Sequence, residues 1–255
     1  MEITIKKLSY KNYFRNLTVT LNDNHIIGIM GKNYQKLLYL IGCDISNKNI
    51  LFNKLKLGNE KYNYVSYIDN KLEFFTAYVY DEILLYLNRH VGRCKNIDKR
   101  IGKTLEMFSI DEDILKKKIC ELSMGEKKLL KYVLALIYNP NVIVIDEPYL
   151  YLDFNHKKII SNVIHILKSK YKKTIIIGSG DSNIIYSLCE LSLFINRDNH
   201  LYGITKTIFN ENDLKKFNID VPNLVKFTDL VNKKGIKIGY FQDIRDLIKD
   251  VYRNV

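Results

Sequence analysis

Two adjacent carboxylates follow an apolar run in the middle of the chain. Val142–Ile145 is followed at once by Asp146 and Glu147. Such a run is typical of a buried parallel strand, which would carry both acids to its C-terminal end. An in-line attack on a phosphoryl group needs a cation ligand and a base within a few ångström, and adjacent residues at a strand end provide both. The alternative interpretation is an ordinary strand that ends in solvated acids.

A short turn upstream could hold a phosphate group. Leu122-Ser123-Met124-Gly125-Glu126 precedes a helix-forming stretch from Lys127 to Tyr138. A small, glycine-containing turn at the start of a helix leaves backbone N–H groups free to bind an anion. Only this one helix and an Asn-Pro-Asn turn separate the two groups of residues.

In this order and at this distance, the two groups resemble the signature and Walker B motifs of ATP-binding cassette (ABC) ATPases. The resemblance implies ATP and Mg²⁺ as cofactors. At the matching positions, Asp146 would hold Mg²⁺ through water, and Glu147 would polarise the attacking water as the general base.

The resemblance also implies that the signature residues act on a partner's nucleotide. Ser123, Met124, Gly125 and Glu126 would clamp the γ-phosphate of ATP held by a second subunit, in a head-to-tail dimer. Met124 stands where glycine is more usual, so the backbone there must keep a negative φ.

The segment after the Walker B motif resembles the family's D-loop. In Tyr149-Leu150-Tyr151-Leu152-Asp153, the last residue would cross the dimer seam. The alternative role for Asp153 is the N-cap of a helix that starts near Phe154, and the two roles can coexist.

The phosphate loop departs from the family pattern G-x-x-x-x-G-K-[ST]. The segment starts at Gly31 and contains Asn33; counting from Gly31 puts Lys36 at the second glycine, with Leu37 and Leu38 at the lysine and hydroxyl positions. A one-residue deletion would make Lys36 the phosphate lysine but would still leave leucine at the hydroxyl position. Losing two hydrogen bonds to phosphate costs roughly 3–6 kcal/mol. We therefore predict a degenerate Walker A loop.

Other nucleotide-contacting positions have changed as well. The glutamine that senses the γ-phosphate in the family corresponds to Asp69. The switch histidine corresponds to Gly180, and Asp181 follows it. The aromatic residue that stacks on adenine is either Tyr10 or Tyr13.

The pattern of elements predicts an α/β fold. We expect a P-loop NTPase-type parallel sheet with an N-terminal antiparallel β subdomain and a helical insertion, that is, an ABC nucleotide-binding domain. The predicted domain covers residues 1–204, with the helical subdomain at about 75–130. A small C-terminal extension covers residues 205–255.

The formal net charge of +12 favours either an anionic partner or a lysine-rich solvated surface. We prefer the second interpretation because no compact basic patch stands out. No run of about 18 apolar residues appears, and the N-terminus has a strand pattern rather than that of a signal peptide. The cysteines are far apart, which indicates reduced thiols rather than a zinc site: Cys43, Cys94, Cys120 and Cys189.

The C-terminal region narrows the resemblance. Asp213–Pro222, followed by Lys234-Gly235-Ile236, is similar to the extension of energy-coupling factor (ECF) transporter ATPases. This implies an ATPase subunit of an importer for a vitamin or metal ion, peripheral on the cytoplasmic face of the cell membrane. Its partners would be a second ABC ATPase subunit in a heterodimer, a transmembrane coupling protein and, indirectly, a substrate-binding membrane protein.

Because its own loop has changed while its signature is intact, we predict that the chain is the half with the degenerate nucleotide site. The alternative is a catalytically dead pseudo-ATPase that serves as a structural or regulatory dimerisation module. A chromosome- or translation-associated protein is disfavoured by the short helical insertion and by the absence of coiled-coil heptads, so no nucleic acid partner is expected.

Overall fold

A computed structural model describes residues 1–90, 92, 96–211 and 214–254. Cys94 and Asp213 lie outside the described residues. Within them, the strands are β1 Ile3–Tyr10, β2 Phe14–Leu21, β3 Ile26–Gly31, β4 Ile50–Phe52, β5 Val65–Ile68, β6 Val142–Asp146, β7 Thr174–Gly178, β8 Leu191–Ile195 and β9 His200–Ile204.

The α-helices alternate with these strands in the order that parallel pairing requires. They are α1 Tyr34–Gly42, α2 Lys61–Tyr64, α3 Val79–His90, α4 Ile97–Met107, α5 Met124–Leu136, α6 Phe154–Ser169, α7 Ser182–Leu188, α8 Thr205–Glu211, α9 Asn223–Lys233 and α10 Ile244–Asn254. Short 3-10 turns cover Glu112–Lys116, Ile119–Glu121 and Leu214–Phe217.

The strands form two sheets. A three-stranded antiparallel sheet has the order β2-β1-β4, and a six-stranded sheet has the order β5-β6-β7-β3-β8-β9. All neighbours in the larger sheet are parallel except β8 and β9. The predicted α/β class, with an antiparallel β subdomain and a largely parallel sheet, is confirmed.

The large sheet has an apolar layer on each face. Alternate residues of β6 point to opposite faces, as the period of two requires. Val142 and Val144 pack with α1 and the antiparallel sheet, whereas Ile143 and Ile145 pack with α5 and α6. Burial on both faces explains why β6 reads as a continuous apolar run.

A short helix stands directly before β5. Asn63 and Tyr64 belong to this helix, α2, so the strand begins only at Val65. Lys61, the first residue of α2, has its side chain buried beneath the end of α1.

The residues after β9 contribute to the main core. Phe209 of α8 makes an edge-to-face contact with Phe194 of β8, with ring centroids 4.8 Å apart. Phe217 also packs against Phe194, at 6.0 Å between centroids. The predicted boundary at residue 204 therefore cuts through a shared apolar layer. The division of the chain into two domains stays a prediction.

Candidate functional site

Parallel pairing brings the two acids to the edge of the large sheet. Asp146 is the last residue of β6 and is paired with Gly178, the last residue of β7. Glu147 follows with a left-handed backbone, at φ 44°, and its N–H donates to the Gly178 carbonyl at 2.9 Å. The pattern of the β6 run therefore placed both acids correctly, at the C-terminal end of a buried strand.

The connection from β3 to α1 consists of only two residues, Lys32 and Asn33. Gly31 ends β3 with φ 108°, and a Cβ there would lie 2.0 Å from the Ile195 carbonyl oxygen. The Lys32 N–H donates to the same carbonyl at 3.1 Å, and Asn33 has a left-handed backbone at φ 66°. This connection is shorter than the standard Walker A pattern, which has four residues between its two glycines.

Tyr34 occupies the space beside Glu147. It is the first residue of α1 and is 8 % exposed, and its hydroxyl donates to Glu147 Oε1 at 2.6 Å. Its ring lies so close to Gly178 that a Cβ there would be 2.8 Å from a ring carbon. Burial, and then Glu147, raise the pKa of Tyr34 well above its ordinary value, so the hydroxyl stays a donor.

Both carboxylate oxygens of Glu147 are engaged. Oε2 accepts from the Ser179 hydroxyl at 2.7 Å, and Oε1 accepts from the Gly180 N–H at 2.6 Å as well as from Tyr34. These three donors lie on two different elements, the loop after β7 and the start of α1. They hold the carboxylate in one orientation.

Asp146 has a different environment. It is 7 % exposed; Oδ2 accepts from Asn70 Nδ2 at 3.0 Å, while Oδ1 is buried without a hydrogen-bond partner among the described residues. Burial, and then the neighbouring Glu147, raise the pKa of Asp146 to about 6. Lys128 opposes that rise.

Lys128 lies beneath the two acids, on α5, and is fully buried. Its ammonium donates to Asn70 Oδ1 at 3.1 Å, to the Asp69 carbonyl at 3.3 Å and to the Asp146 carbonyl at 3.5 Å. Burial lowers the pKa of Lys128 to about 8, and Asp146 offsets part of that fall. The sequence pattern predicts a role for neither Lys128 nor Asn70. The available signal was that Lys128 lies one helical turn before the apolar Tyr132, on the core-facing side of α5.

The residues present do not fit a magnesium–nucleotide complex at this strand end. Leu37 and Leu38, at the lysine and hydroxyl positions of the motif, are buried in the apolar layer beneath α1. The described residues contain no group of three acidic, histidine or cysteine side chains that could hold a metal ion. Asp146 Oδ1 accepts no hydrogen bond within the described residues, and a buried ammonium, that of Lys128, lies nearby.

The other predicted nucleotide residues have their own contacts. The exposed Lys36 has its ammonium 5.9 Å from the centroid of Tyr13, which stacks with Tyr10 at 6.2 Å. Asp69 Oδ1 is 3.9 Å from the ammonium of Lys131. Lys36 thus meets the tyrosine pair, and within the described residues no hydrogen bond or ion pair joins it to either acid.

The signature turn is a pre-formed helix N-terminus. Ser123 is the N-cap of α5: its hydroxyl accepts from the Glu126 N–H at 3.2 Å, and the Glu126 carboxylate accepts from the Ser123 N–H at 2.8 Å. That second bond lowers the pKa of Glu126. Met124 is half-exposed and, as predicted, its φ is not positive. Such a reciprocal capping box fixes the turn before any ligand arrives.

The D-loop lies beside the signature turn. A Cβ at Gly125 would be 3.4 Å from the Tyr151 carbonyl oxygen. Asp153 is the N-cap of α6 and accepts from the His156 N–H at 2.8 Å, so its capping role is confirmed, whereas its role at a dimer seam stays a prediction. Similarly, Asp181 is the N-cap of α7 and accepts from the Asn183 N–H at 2.9 Å.

Comparisons with known proteins agree with this fold. No protein-family model matches the chain. The energy-coupling factor transporter ATP-binding protein EcfA1 of Ureaplasma parvum is 28 % identical, over 94 % of this chain and 85 % of the relative. An EcfA2 protein of Caldanaerobacter subterraneus is 22 % identical, over 88 % of this chain and 84 % of the relative.

A solved structure extends the similarity to three dimensions. The cbiO1 protein from Clostridium perfringens, part of the ABC transporter complex cbiONQ, matches with a TM-score of 0.69 at 20 % identity, over 89 % of this chain and 98 % of that one. At this identity the match supports the fold alone. The curated relatives, together with this fold, the signature turn and the strand-end acids, identify the chain as an ABC-family ATPase subunit.

Proposed function

We propose that this chain is an ATP-binding subunit of an ECF-type importer and supplies its signature turn to ATP held by a second ABC ATPase subunit. Its own phosphate loop would hold no magnesium–nucleotide complex. The observation that carries this proposal is the two-residue connection before α1, with the Tyr34 hydroxyl bonded to Glu147 at 2.6 Å. ATP therefore remains a cofactor of the assembly, bound on the partner's loop.

The signature turn supports the role toward the partner's nucleotide. The N–H groups of Met124 and Gly125 belong to the first turn of α5 and have no acceptor within the helix. Together with the Ser123 hydroxyl and the positive end of the helix dipole, they suit a terminal phosphate. The adjacent D-loop backbone would extend the same surface toward a partner subunit.

The names of the relatives support the importer assignment. Both curated relatives are described as energy-coupling factor transporter ATP-binding proteins. No helix in the described part of the chain is long and apolar enough to cross a bilayer. We therefore infer a peripheral position on the cytoplasmic face of the cell membrane, docked on a transmembrane coupling protein. The imported vitamin or metal ion would be selected by a separate substrate-binding membrane protein.

A second candidate function is a pseudo-ATPase that serves only for dimerisation or regulation. The three donors around Glu147 favour it, because they hold both oxygens of the carboxylate that would polarise the attacking water. The two candidates differ in the signature turn, which only the first uses.

The deciding experiment is titration calorimetry with ATP and Mg²⁺ on the purified chain, alone and mixed with the ABC ATPase subunit encoded beside it. We expect no binding heat from the chain alone, and ATP-dependent association with the partner. Micromolar binding to the chain alone would overturn the degenerate-site proposal. No ATP effect on association would favour the pseudo-ATPase.

A further inference from the structure

We propose that Lys128 is a built-in cation, which acts through Asn70 to compensate the charge of Asp146 in place of a metal ion. Lys128 and Asn70 are thus positioning residues, which hold the carboxylate of Asp146 in place at the end of β6. This inference rests on the proposed function in one respect, namely that the chain's own site holds no magnesium–nucleotide complex.

The ammonium of Lys128 is built into the site. Lys128 has no exposed surface, and its Nζ donates to three oxygens at 3.1–3.5 Å, two of them backbone carbonyls and one the side-chain oxygen of Asn70. An ammonium removed from water in this way is costly unless it has both hydrogen-bond acceptors and a nearby negative charge. The carbonyls provide the first, and a carboxylate must provide the second.

Asn70 links Lys128 to Asp146. Its amide oxygen accepts from Lys128 at 3.1 Å, and its amide nitrogen donates to Asp146 Oδ2 at 3.0 Å. The two bonds together fix which end of the amide faces which group. The amide dipole therefore points its positive end at the carboxylate and its negative end at the ammonium, which strengthens both contacts.

The other carboxylates nearby have partners of their own. Glu147 accepts from Tyr34, Ser179 and Gly180, and Asp69 lies 3.9 Å from the ammonium of Lys131. Within the described residues, the side chain of Asp146 accepts one hydrogen bond, from the Asn70 amide that Lys128 orients. Its free oxygen Oδ1 is buried, so without Lys128 the carboxylate would keep its charge only if another cation entered.

Lys128 and a divalent cation should therefore exclude one another. In the wild type, the ammonium repels a second cation at Asp146. In Lys128→Met, a side chain of similar length removes the positive charge. Mg²⁺ can then bind the carboxylate of Asp146, whose charge is no longer compensated. Lys173→Met is the matched control, because Lys173 is also buried, at 8 % exposure, but donates to the Asn139 carbonyl away from this site.

The test is thermal unfolding of the full chain with and without 10 mM MgCl₂, a nominal concentration of about ten times a millimolar dissociation constant. NaCl is adjusted to keep the ionic strength equal. We expect Mg²⁺ to raise the midpoint of Lys128→Met by about 3–5 °C and those of the wild type and Lys173→Met by less than about 1 °C. The double variant Lys128→Met with Asp146→Asn should lose the response.

The proposal is overturned if Lys128→Met does not respond to Mg²⁺, or if the wild type responds as strongly. If Lys128→Met fails to fold, Lys128→Gln replaces it. A strong response of the wild type to Mg²⁺ would still overturn the proposal. Failure here is distinguishable from failure of the proposed function. The Mg²⁺ responses are measured without nucleotide or partner, whereas the proposed function fails on ATP binding to the chain alone.

Discussion

At the scale of single residues, Tyr34 stabilises the carboxylate of Glu147. Its hydroxyl gives Glu147 one of three donors, and its ring fills the space above Gly178. In Tyr34→Phe the ring stays while the charge-assisted hydrogen bond is lost. We expect the free energy of unfolding to fall by about 1.5–3 kcal/mol in urea denaturation.

The control for this variant is Tyr149→Phe. Tyr149 is also partly buried, and its hydroxyl meets the Ser161 hydroxyl at 2.5 Å, without a charged partner. Its loss should cost only about 0.5–1.5 kcal/mol. Equal losses in the two variants would mean that the Tyr34–Glu147 contact is not charge-assisted.

Gly125 allows the signature turn to be tested without disturbing the fold. A Cβ there would have its nearest neighbour at 3.4 Å, so Gly125→Ala should keep or slightly raise the stability of the chain. The added methyl group would stand where the partner's phosphate is proposed to bind. We expect ATP-driven association to weaken by at least about tenfold, or about 1.4 kcal/mol, in sedimentation or calorimetry.

Lys158→Ala, on the exposed side of α6, is the surface control for Gly125→Ala. It should leave association unchanged. If Gly125→Ala also associates normally, the signature turn does not contact the partner's nucleotide.

The roles of residues were only partly predictable from the sequence. Asp146 and Glu147 could be placed because an apolar run predicts a strand, and a strand fixes where its last residues lie. Tyr34, Asn70 and Lys128 could not, because their contacts join segments that are 113, 76 and 58 residues apart. Local patterns carry no information about such pairs.

At the scale of elements, a buried lysine joins α2 to α1. The Lys61 ammonium donates to the Leu40 carbonyl at 3.1 Å and to the Asp44 carbonyl at 2.8 Å, which satisfies acceptors at the C-terminal end of α1. Burial lowers the pKa of Lys61 to about 8. This contact explains why a helical turn, rather than a longer strand, precedes β5.

The lowered pKa of Lys61 predicts a pH dependence of stability. Between pH 8 and about 10.5 the unfolded chain binds this proton more tightly than the folded chain, so the free energy of unfolding rises with pH. The rise is at most about 3 kcal/mol, at about 1.4 kcal/mol per pH unit. Lys61→Met should lack it.

Urea denaturation of the wild type and of Lys61→Met from pH 7 to pH 10 gives the measurement. The free energy of unfolding of the wild type should rise relative to that of Lys61→Met as the pH rises. The contributions of the other titrating groups cancel in this difference. Lys158→Met, at an exposed position, should run parallel to the wild type. A constant difference between the wild type and Lys61→Met would show that the pKa of Lys61 is not lowered.

At the scale of the whole molecule, the C-terminal residues complete the core. The fold class was predictable, since alternating strands and helices predict a parallel sheet. The dependence of Phe194 on Phe209 and Phe217 was not, because the packing of rings from a helix and a 3-10 turn against β8 leaves no periodic pattern in the sequence.

Ending the chain at residue 204 should therefore prevent folding. The truncated chain would expose one side of Phe194, and we expect aggregation or loss of a cooperative transition in circular dichroism. A chain ending at residue 222 keeps both partner rings and should stay cooperative. If the 1–204 chain is monomeric and unfolds cooperatively, the predicted domain boundary stands as an independent folding unit.

The two-residue connection between β3 and α1 also has a consequence for energy use. In the proposed heterodimer, one composite site would have a full phosphate loop, and the other would have Tyr34 in its place. Each closure would then be driven by the binding of one ATP, and each reopening would wait for the release of one ADP. The transport stoichiometry of such a motor would be one nucleotide per cycle rather than two.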